Sequence, residues 1–291
     1  MRQITIISGK GGTGKTSFAG SFAALSKDAV FADCDVDASN LHLLLKPDII
    51  ETIEFKGLKL AKIASDECIQ CGLCAEKCRF KAIDHRGGYR VNPLHCEGCG
   101  VCIRVCPVGA IAFEDRVCGH AYISETRFGP MVHAYLKPGM ENSGKLVTLV
   151  RQTAQQIAED RGKRLVLIDG PPGIGCPAIA SLSGVDTALV VVEPTLSGIH
   201  DLKRVLLLLD HFNIVPLVCI NKHDINPQNT GEIREFCGEN NIHLIGVIPF
   251  DGAVTKAMVA GKMVVEYAPD SLAGHEIVKT WEVLQRFLAT Q

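Results

Sequence analysis

Two cysteine runs of the same spacing constrain this chain more than any other feature. Cys68-x2-Cys71-x2-Cys74-x3-Cys78 is followed by Cys96-x2-Cys99-x2-Cys102-x3-Cys106-Pro107, and each copy ends in a related apolar turn, FKAI or VGAI. Zinc favours C-x2-C pairs separated by longer gaps, not four thiols within eleven residues. The phosphate-type loop described below begins within ten residues of Met1, which leaves no room for a signal peptide. The 13 cysteines are therefore expected in a reducing cytoplasm, where they bind metal rather than pair as disulfides. A net charge of -2 and 5% aromatic residues give no footing for nucleic acid. No apolar run approaches the ~18 residues of a membrane span.

The spacing is that of a two-cluster bacterial ferredoxin, in which the fourth cysteine of each run ligates the other cluster. One 4Fe–4S cluster is thus expected on Cys68, Cys71, Cys74 and Cys106, the other on Cys96, Cys99, Cys102 and Cys78. Soft thiolates suit iron and sulfide. One departure is that Cys78 is followed by Arg79, where such runs often have proline. A positive charge there raises that cluster's potential or is simply solvated.

The segment interrupts a different pattern. QITIIS from Gln3 reads as a strand, SGKGGTGKTS (Ser8–Ser17) as a glycine loop, Thr16 to Ser26 as a helix, and AVFADCD from Ala29 as a buried strand. After the cysteines, Val117 to Lys137 suggests a hairpin turning at Phe128-Gly129-Pro130. Strands then alternate with helices: RLVLID (Arg164), TALVVVE (Thr187), VPLVCI (Val215), HLIGVI (His243) and a last helix from about Ser271 to Leu288. Continuous apolar strands separated by helices predict an α/β fold with a doubly wound, mostly parallel sheet. Residues 1–57 and 117–291 would form it, with 58–116 an inserted α+β ferredoxin-like domain.

Gly9 to Thr16 fits G-x-x-x-x-G-K-[ST]. Gly9, Gly11, Gly12, Thr13 and Gly14 would cradle phosphate oxygens with their backbone N–H groups, helped by the N-terminus of the helix that carries Ser17. Lys15 would reach the β/γ-phosphates and the Thr16 hydroxyl would bind Mg²⁺.

The form G-K-G-G-T-G-K-T resembles the deviant Walker A loop of the MinD/ParA/nitrogenase iron protein superfamily. There the early lysine, here Lys10, reaches across a dimer to the partner's nucleotide. The resemblance implies a P-loop ATPase, dimeric around two ATP molecules, the partner an identical or a paralogous chain. Asp35 in ADCDVDASN resembles the switch I aspartate that orients the attacking water, flanked by Asp33 and Asp37. LVLIDGPPGIG resembles Walker B and switch II, with Asp169 holding Mg²⁺ through water and Gly173 sensing the γ-phosphate. Asn221, Pro249 and Asp251 lie where the family contacts adenine. Cys176 lies where a nitrogenase iron protein keeps a cysteine on a cluster bridging two subunits. The second such cysteine would fall at Asn142, with Lys145 in place of an arginine, so no bridging cluster is expected and Cys176 reads as a small buried residue, with a metal or redox role as the alternative. Cys34, Cys118, Cys219 and Cys237 read as packing residues.

The whole chain resembles the ATPases of this superfamily with an inserted ferredoxin domain, often labelled cobyrinic acid a,c-diamide synthase-like. The glutaminase half that the label implies needs a nucleophilic cysteine, a histidine and a length that are not supplied here. Three roles then follow. ATP turnover gates electron transfer to a redox or metalloprotein partner; or the chain assembles and carries metal centres; or it positions other molecules as MinD does. The third needs a basic membrane helix. The last helix instead puts Ile277, Trp281, Leu284 and Leu288 on one face with only Lys279 and Arg286 as bases, the pattern of a core-docking helix and not of a membrane anchor.

Overall fold

The computed structural model describes residues 1–140 and 144–290, so Asn142 lies outside the described residues. In chain order the strands are β1 (Arg2–Ser8), β2 (Ala29–Asp33), β3 (Asp48–Lys56), β4 (Leu60–Ile63), β5 (Ile83–Asp84), β6 (Arg90–Val91) and β7 (Ile111–Glu114). They continue as β8 (Val117–Thr126), β9 (Gly129–Leu136), β10 (Leu165–Pro172), β11 (Thr187–Val192), β12 (Val215–Asn221) and β13 (His243–Ile248). The chain divides into two compact units, one of residues 1–52, 121–135 and 144–290, the other of 53–120 and 136–140. The division cuts β3 and β8 a few residues to either side of the limits expected at 57/58 and 116/117.

The nine-stranded sheet runs β13-β12-β11-β1-β10-β2-β9-β8-β3. From β13 to β9 every neighbouring pair is parallel. Successive residues of β1 feed opposite layers: Ile4 and Ile6 pack with helices Lys15–Leu25 and Leu272–Thr290, Ile7 with helices Leu196–His211 and Pro227–Glu239. Burial on both faces is why these strands are apolar throughout. On the first layer Phe22 meets Trp281 with ring centroids 5.0 Å apart.

The hairpin turns earlier than its Gly-Pro pair suggests. Arg127 and Phe128 form the turn, and Gly129-Pro130 already belong to β9. The Thr126 hydroxyl makes the difference, since it donates to the Gly129 carbonyl (2.7 Å) and accepts from Phe128 N–H (3.1 Å). Pro130 is tolerated in the strand because its φ already suits extended backbone.

The smaller unit pairs β4 with β7 and β5 with β6, both antiparallel. Its short helices Leu73–Glu76 and Val101–Val105 each start from a left-handed glycine, Gly72 (φ 81°) and Gly100 (φ 77°). Its apolar centre is small, with Ala61, Cys74 and Ile111 buried.

Trp281→Ala should lower unfolding stability of the larger unit by about 3–5 kcal/mol, the usual cost of emptying a buried aromatic site. Urea titration checks this; a loss under ~1 kcal/mol would mean that the Phe22–Trp281 layer is not the packed centre described.

Candidate functional site

β1 and β10 run in register from Arg2–Leu165 to Ile6–Asp169, then slip so that Ser8 faces Pro172. The chain leaves the sheet there, and the loop from Gly9 lies beside the segment after Asp169. Gly173 N–H donates to the Ser8 carbonyl at 2.8 Å, and Cys34 N–H to the Asp169 carbonyl at 2.8 Å. Three strand ends are thus tied at one edge, as ligand-binding crevices of open α/β sheets require.

The loop's glycines are sterically required at two places. At Gly14 φ is 99° and a β-carbon would fall 2.6 Å from Asn221 Nδ2; at Gly9 it would fall 2.2 Å from Asp201 Cβ. Gly11 and Gly12 are exposed, Thr13 is buried, and the Ser17 hydroxyl lies 3.4 Å from Met258 Sδ. Asn221 spends its amide inside the chain, donating from Nδ2 to the Thr13 carbonyl at 2.8 Å. Asp251 is likewise occupied: it accepts from Ala253 N–H (2.8 Å) and Ala273 N–H (3.2 Å), which hold its pKa low. Pro249 is half-buried just before it.

The acidic groups gather round Lys15. Asp169 is 1% exposed, and apart from the adjacent Thr16 side chain its carboxylate meets no hydrogen-bond donor among the described residues. Burial, and then the Asp33 charge, push its pKa well above the usual carboxylate range, against the Thr16 side chain and the Lys15 charge. Desolvation lowers the Lys15 pKa, opposed by Asp169 and Asp35. Asp35 is half-buried and its pKa is raised, chiefly by desolvation; Asp37 is exposed. Asp33 is fully buried and accepts from Ser39 Oγ (2.6 Å), Leu41 N–H (3.2 Å) and Asp35 N–H (3.2 Å). Burial nevertheless raises it to about 6. Hard carboxylate and hydroxyl oxygens around a phosphate-type loop fit a Mg²⁺–nucleotide.

Lys10 Nζ lies 3.2 Å from Thr195 Oγ1, 3.3 Å from Ser197 Oγ and 3.8 Å from Glu193 Oε2, all in its own chain. Lys222 Nζ sits 2.5 Å from Glu193 Oε1. Sequence reasoning missed Glu193, Asp201 and Lys222. Glu193 had a readable signal, since it ends a buried parallel strand as Asp169 does.

In the smaller unit Cys68, Cys71, Cys74 and Cys106 line one cavity. Cys78, Cys96, Cys99 and Cys102 line another. Four thiols around a single zinc would lie within ~4 Å of one another at Zn–S bonds of about 2.3 Å. Among the described residues no three His, Cys, Asp or Glu side chains converge on one ion position. Four soft thiols lining each cavity fit a polynuclear iron–sulfur group.

Outside these cavities Cys34, Cys118, Cys219 and Cys237 are buried, as packing residues would be. Cys176 is exposed, contrary to the buried residue expected. It opens helix Cys176–Leu182, whose buried positions are Ala178, Ser181 and Leu182. A residue two before Ala178 falls on the opposite side of the helix. Lys145 begins helix Lys145–Asp160.

A family model for a 4Fe-4S dicluster domain matches residues 61–113. The chain is 36% identical, over 98% of its length and 97% of the relative's, to the uncharacterized protein MJ0578 of Methanocaldococcus jannaschii. The MinD structure of Pyrococcus horikoshii in complex with Mg-ADP covers 99% of this chain and 98% of its own, at 19% identity and a TM-score of 0.59. The chain belongs to one family with MJ0578, and it has a MinD/ParA-type P-loop fold that carries a 4Fe–4S dicluster domain. A partial similarity is to the cytosolic Fe-S cluster assembly factor NBP35 of Eremothecium gossypii, 28% identical over 41% of each chain. No described helix is long and apolar enough to cross a membrane.

In this MinD/ParA-type core the Asp169 carboxylate is a cost to the nucleotide-free protein. Its folded pKa lies above the unfolded value, so the folded state holds the extra proton between the two. Stability therefore falls as pH rises through that window and then levels. Asp169→Asn should raise nucleotide-free stability at neutral pH by about 1–3 kcal/mol, with an advantage that shrinks toward acid. Urea unfolding at several pH values in EDTA checks it; a destabilised variant at neutral pH would contradict the poorly compensated carboxylate.

Proposed function

We propose that this chain is a Mg-ATP-dependent ATPase that binds two 4Fe–4S clusters and couples its nucleotide state to electron transfer with a partner protein. The observation that carries the reading is that eight thiols divide into two four-cysteine cavities in a chain that also holds a phosphate loop beside a buried carboxylate.

In this reading the loop amides of Gly9 to Gly14 hold the phosphates, Lys15 neutralises the β/γ oxygens, and Ser17 adds to the start of the helix. Thr16 and Asp169 hold Mg²⁺, Asp169 and Asp35 through its water shell, and Asp35 orients the attacking water. The metal supplies charge neutralisation at the phosphates. Gly173, now bonded to Ser8, exchanges that bond for the γ-phosphate. Asn221 acts by fixing the loop, while Pro249 and Asp251 shape the adenine side. Lys10 acts in trans in an ATP-sandwich dimer, homodimeric or built with a paralogue. The clusters take the two cavity sets and supply one-electron chemistry. The reducing cytoplasm is the compartment that such thiols require.

Coupling has a covalent route. Asp35 follows β2 directly, and only helix Leu41–Leu45 separates that segment from β3, the strand on which the chain enters the smaller unit. The assembly or carrier role is the second reading, favoured by the similarity to the cluster assembly factor. Against it, no C-x-x-C pair occurs outside the two cysteine runs.

Lys15→Ala should weaken ATP binding at least about tenfold by calorimetry, the loss of a charge-assisted phosphate contact. Lys10→Ala should keep ATP binding and iron content but lose nucleotide-dependent dimerisation and hydrolysis. Normal turnover in Lys10→Ala refutes the trans role. Cluster potentials measured without nucleotide, with Mg-ADP and with a non-hydrolysable ATP analogue separate the two readings. A shift with the analogue supports gated transfer; unchanged potentials together with release of iron to an apo-acceptor support the carrier.

A further inference from the structure

The two cysteine runs superpose in sequence with an offset of twenty-eight residues, Cys68 on Cys96 through Cys78 on Cys106. The backbone follows the repeat: Gly72 and Gly100 both have φ near +80°, and Gln70 (φ 55°) matches Gly98 (φ 63°). The two copies share their cysteine spacing and these turns, and they differ in the charges they carry beside the cysteines.

The rims are charged oppositely. Around the cavity of Cys68, Cys71, Cys74 and Cys106, the residues before Cys68 are Asp66 and Glu67, and the short helix ends in Glu76, all exposed. Their repeat partners are Leu94, His95 and Arg104. Around the cavity of Cys78, Cys96, Cys99 and Cys102, Arg79 and Lys81 flank Phe80, which lines it; their partners are Pro107 and Gly109. Arg104 lies three residues after Val101, another lining residue, and so shares its face of the helix. Phe80 and Val101 are themselves exposed, giving the cationic rim an apolar centre. Glu97 is the single acidic lining residue.

Lys81 carries the strongest indication that these charges have a use. Its φ is 50°, left-handed, where the second copy has Gly109 at φ 68°. A lysine held where glycine serves in the repeat costs backbone energy, and such outliers gather at functional surfaces. Arg79, Lys81 and Arg104 make no ion pair among the described residues, whereas Glu76 on the other rim is paired with Lys77 at 2.8 Å.

We propose that the surface of Arg79, Phe80, Lys81, Val101 and Arg104 is the docking face for a small acidic one-electron carrier protein, with the Cys78/Cys96/Cys99/Cys102 cavity as the electron port. This rests on the electron-transfer reading given above. Complementary charge steers such partners and makes the encounter salt-dependent, and exposed apolar residues at the centre give it grip. A cluster held by these cysteines would also meet electron-accepting surroundings. Ala82 N–H donates to Cys78 Sγ at 3.3 Å, and the adjacent cations favour the reduced state.

The test uses the cluster-loaded full chain with two probes, an acidic plant-type ferredoxin and basic cytochrome c. The acidic probe should bind, with affinity falling at least tenfold between about 50 and 300 mM salt. Lys81→Gly with Arg104→Gln should weaken that binding about tenfold at low salt, with iron content and visible spectrum unchanged. Lys81→Gly alone removes the left-handed strain, so a misfolded protein does not explain the loss. Asp66→Asn with Glu76→Gln should leave acidic-probe binding unaltered. Equal binding by wild type and the Lys81/Arg104 variant, or preference of this face for cytochrome c, overturns the proposal. Docking without electron exchange keeps the face and removes the electron-transfer reading, so the two fail separately.

Discussion

The parallel pairing of β1 with β10 is the constraint on which the rest of the nucleotide site depends. It sets Ile6 against Asp169 and then breaks, so that loop and carboxylate emerge side by side. Gly170 shows how tight the junction is: a β-carbon there would lie 2.8 Å from the Ile6 carbonyl. The Gly173–Ser8 and Cys34–Asp169 backbone bonds extend the same junction to the switch-like segments. No side chain of the site needs to be placed by long-range packing of its own. Each is delivered at the carboxyl end of a strand that the sheet has already aligned.

That economy concentrates negative charge. Asp33 and Asp169 are buried, Asp35 half-buried, and Lys15 is the one cation that acts on both Asp169 and Asp35. The three acids are not equivalent. Asp33 has three hydrogen bonds and serves the loop, holding Asp35 and the start of helix Leu41–Leu45. Asp169 has only the adjacent Thr16 side chain and the Lys15 charge to offset its burial. A buried carboxylate with so few partners is tolerated when a ligand compensates it in the working state. Nucleotide-free stability is thereby lowered by a carboxylate that a bound cation would compensate.

The sheet was legible because every buried strand is an uninterrupted apolar run, and the loop because its glycines occur at fixed offsets after one. The cysteine sets were legible from spacing alone, and the two cavities hold the eight thiols in those groups. What was not legible depends on tertiary neighbours. Cys176 lies out of the core because the buried stripe of its helix begins at Ala178. The hairpin turns at Arg127 because the Thr126 hydroxyl captures it, although Gly-Pro has the stronger turn composition. Asn221 and Asp251 are polar groups at strand ends, and sequence cannot tell that one is spent on Thr13 and the other on two helix starts.

Lys10 is held only weakly by its own chain. In the single chain it rests against Thr195, Ser197 and Glu193. Its side chain stays 34% exposed, so this pair belongs with ion pairs worth about 0–1 kcal/mol. Glu193 is far less exposed, at 12%, and would be costly to strand without a cation. Lys222 prevents that: it lies closer to Glu193 than Lys10 does and stays with it when Lys10 leaves. The second lysine on Glu193 thus frees the first, and the early lysine of the loop can be withdrawn from its own chain without orphaning a buried charge. A trans role for Lys10 needs that freedom, and the Glu193–Lys222 pair is where the fold provides it.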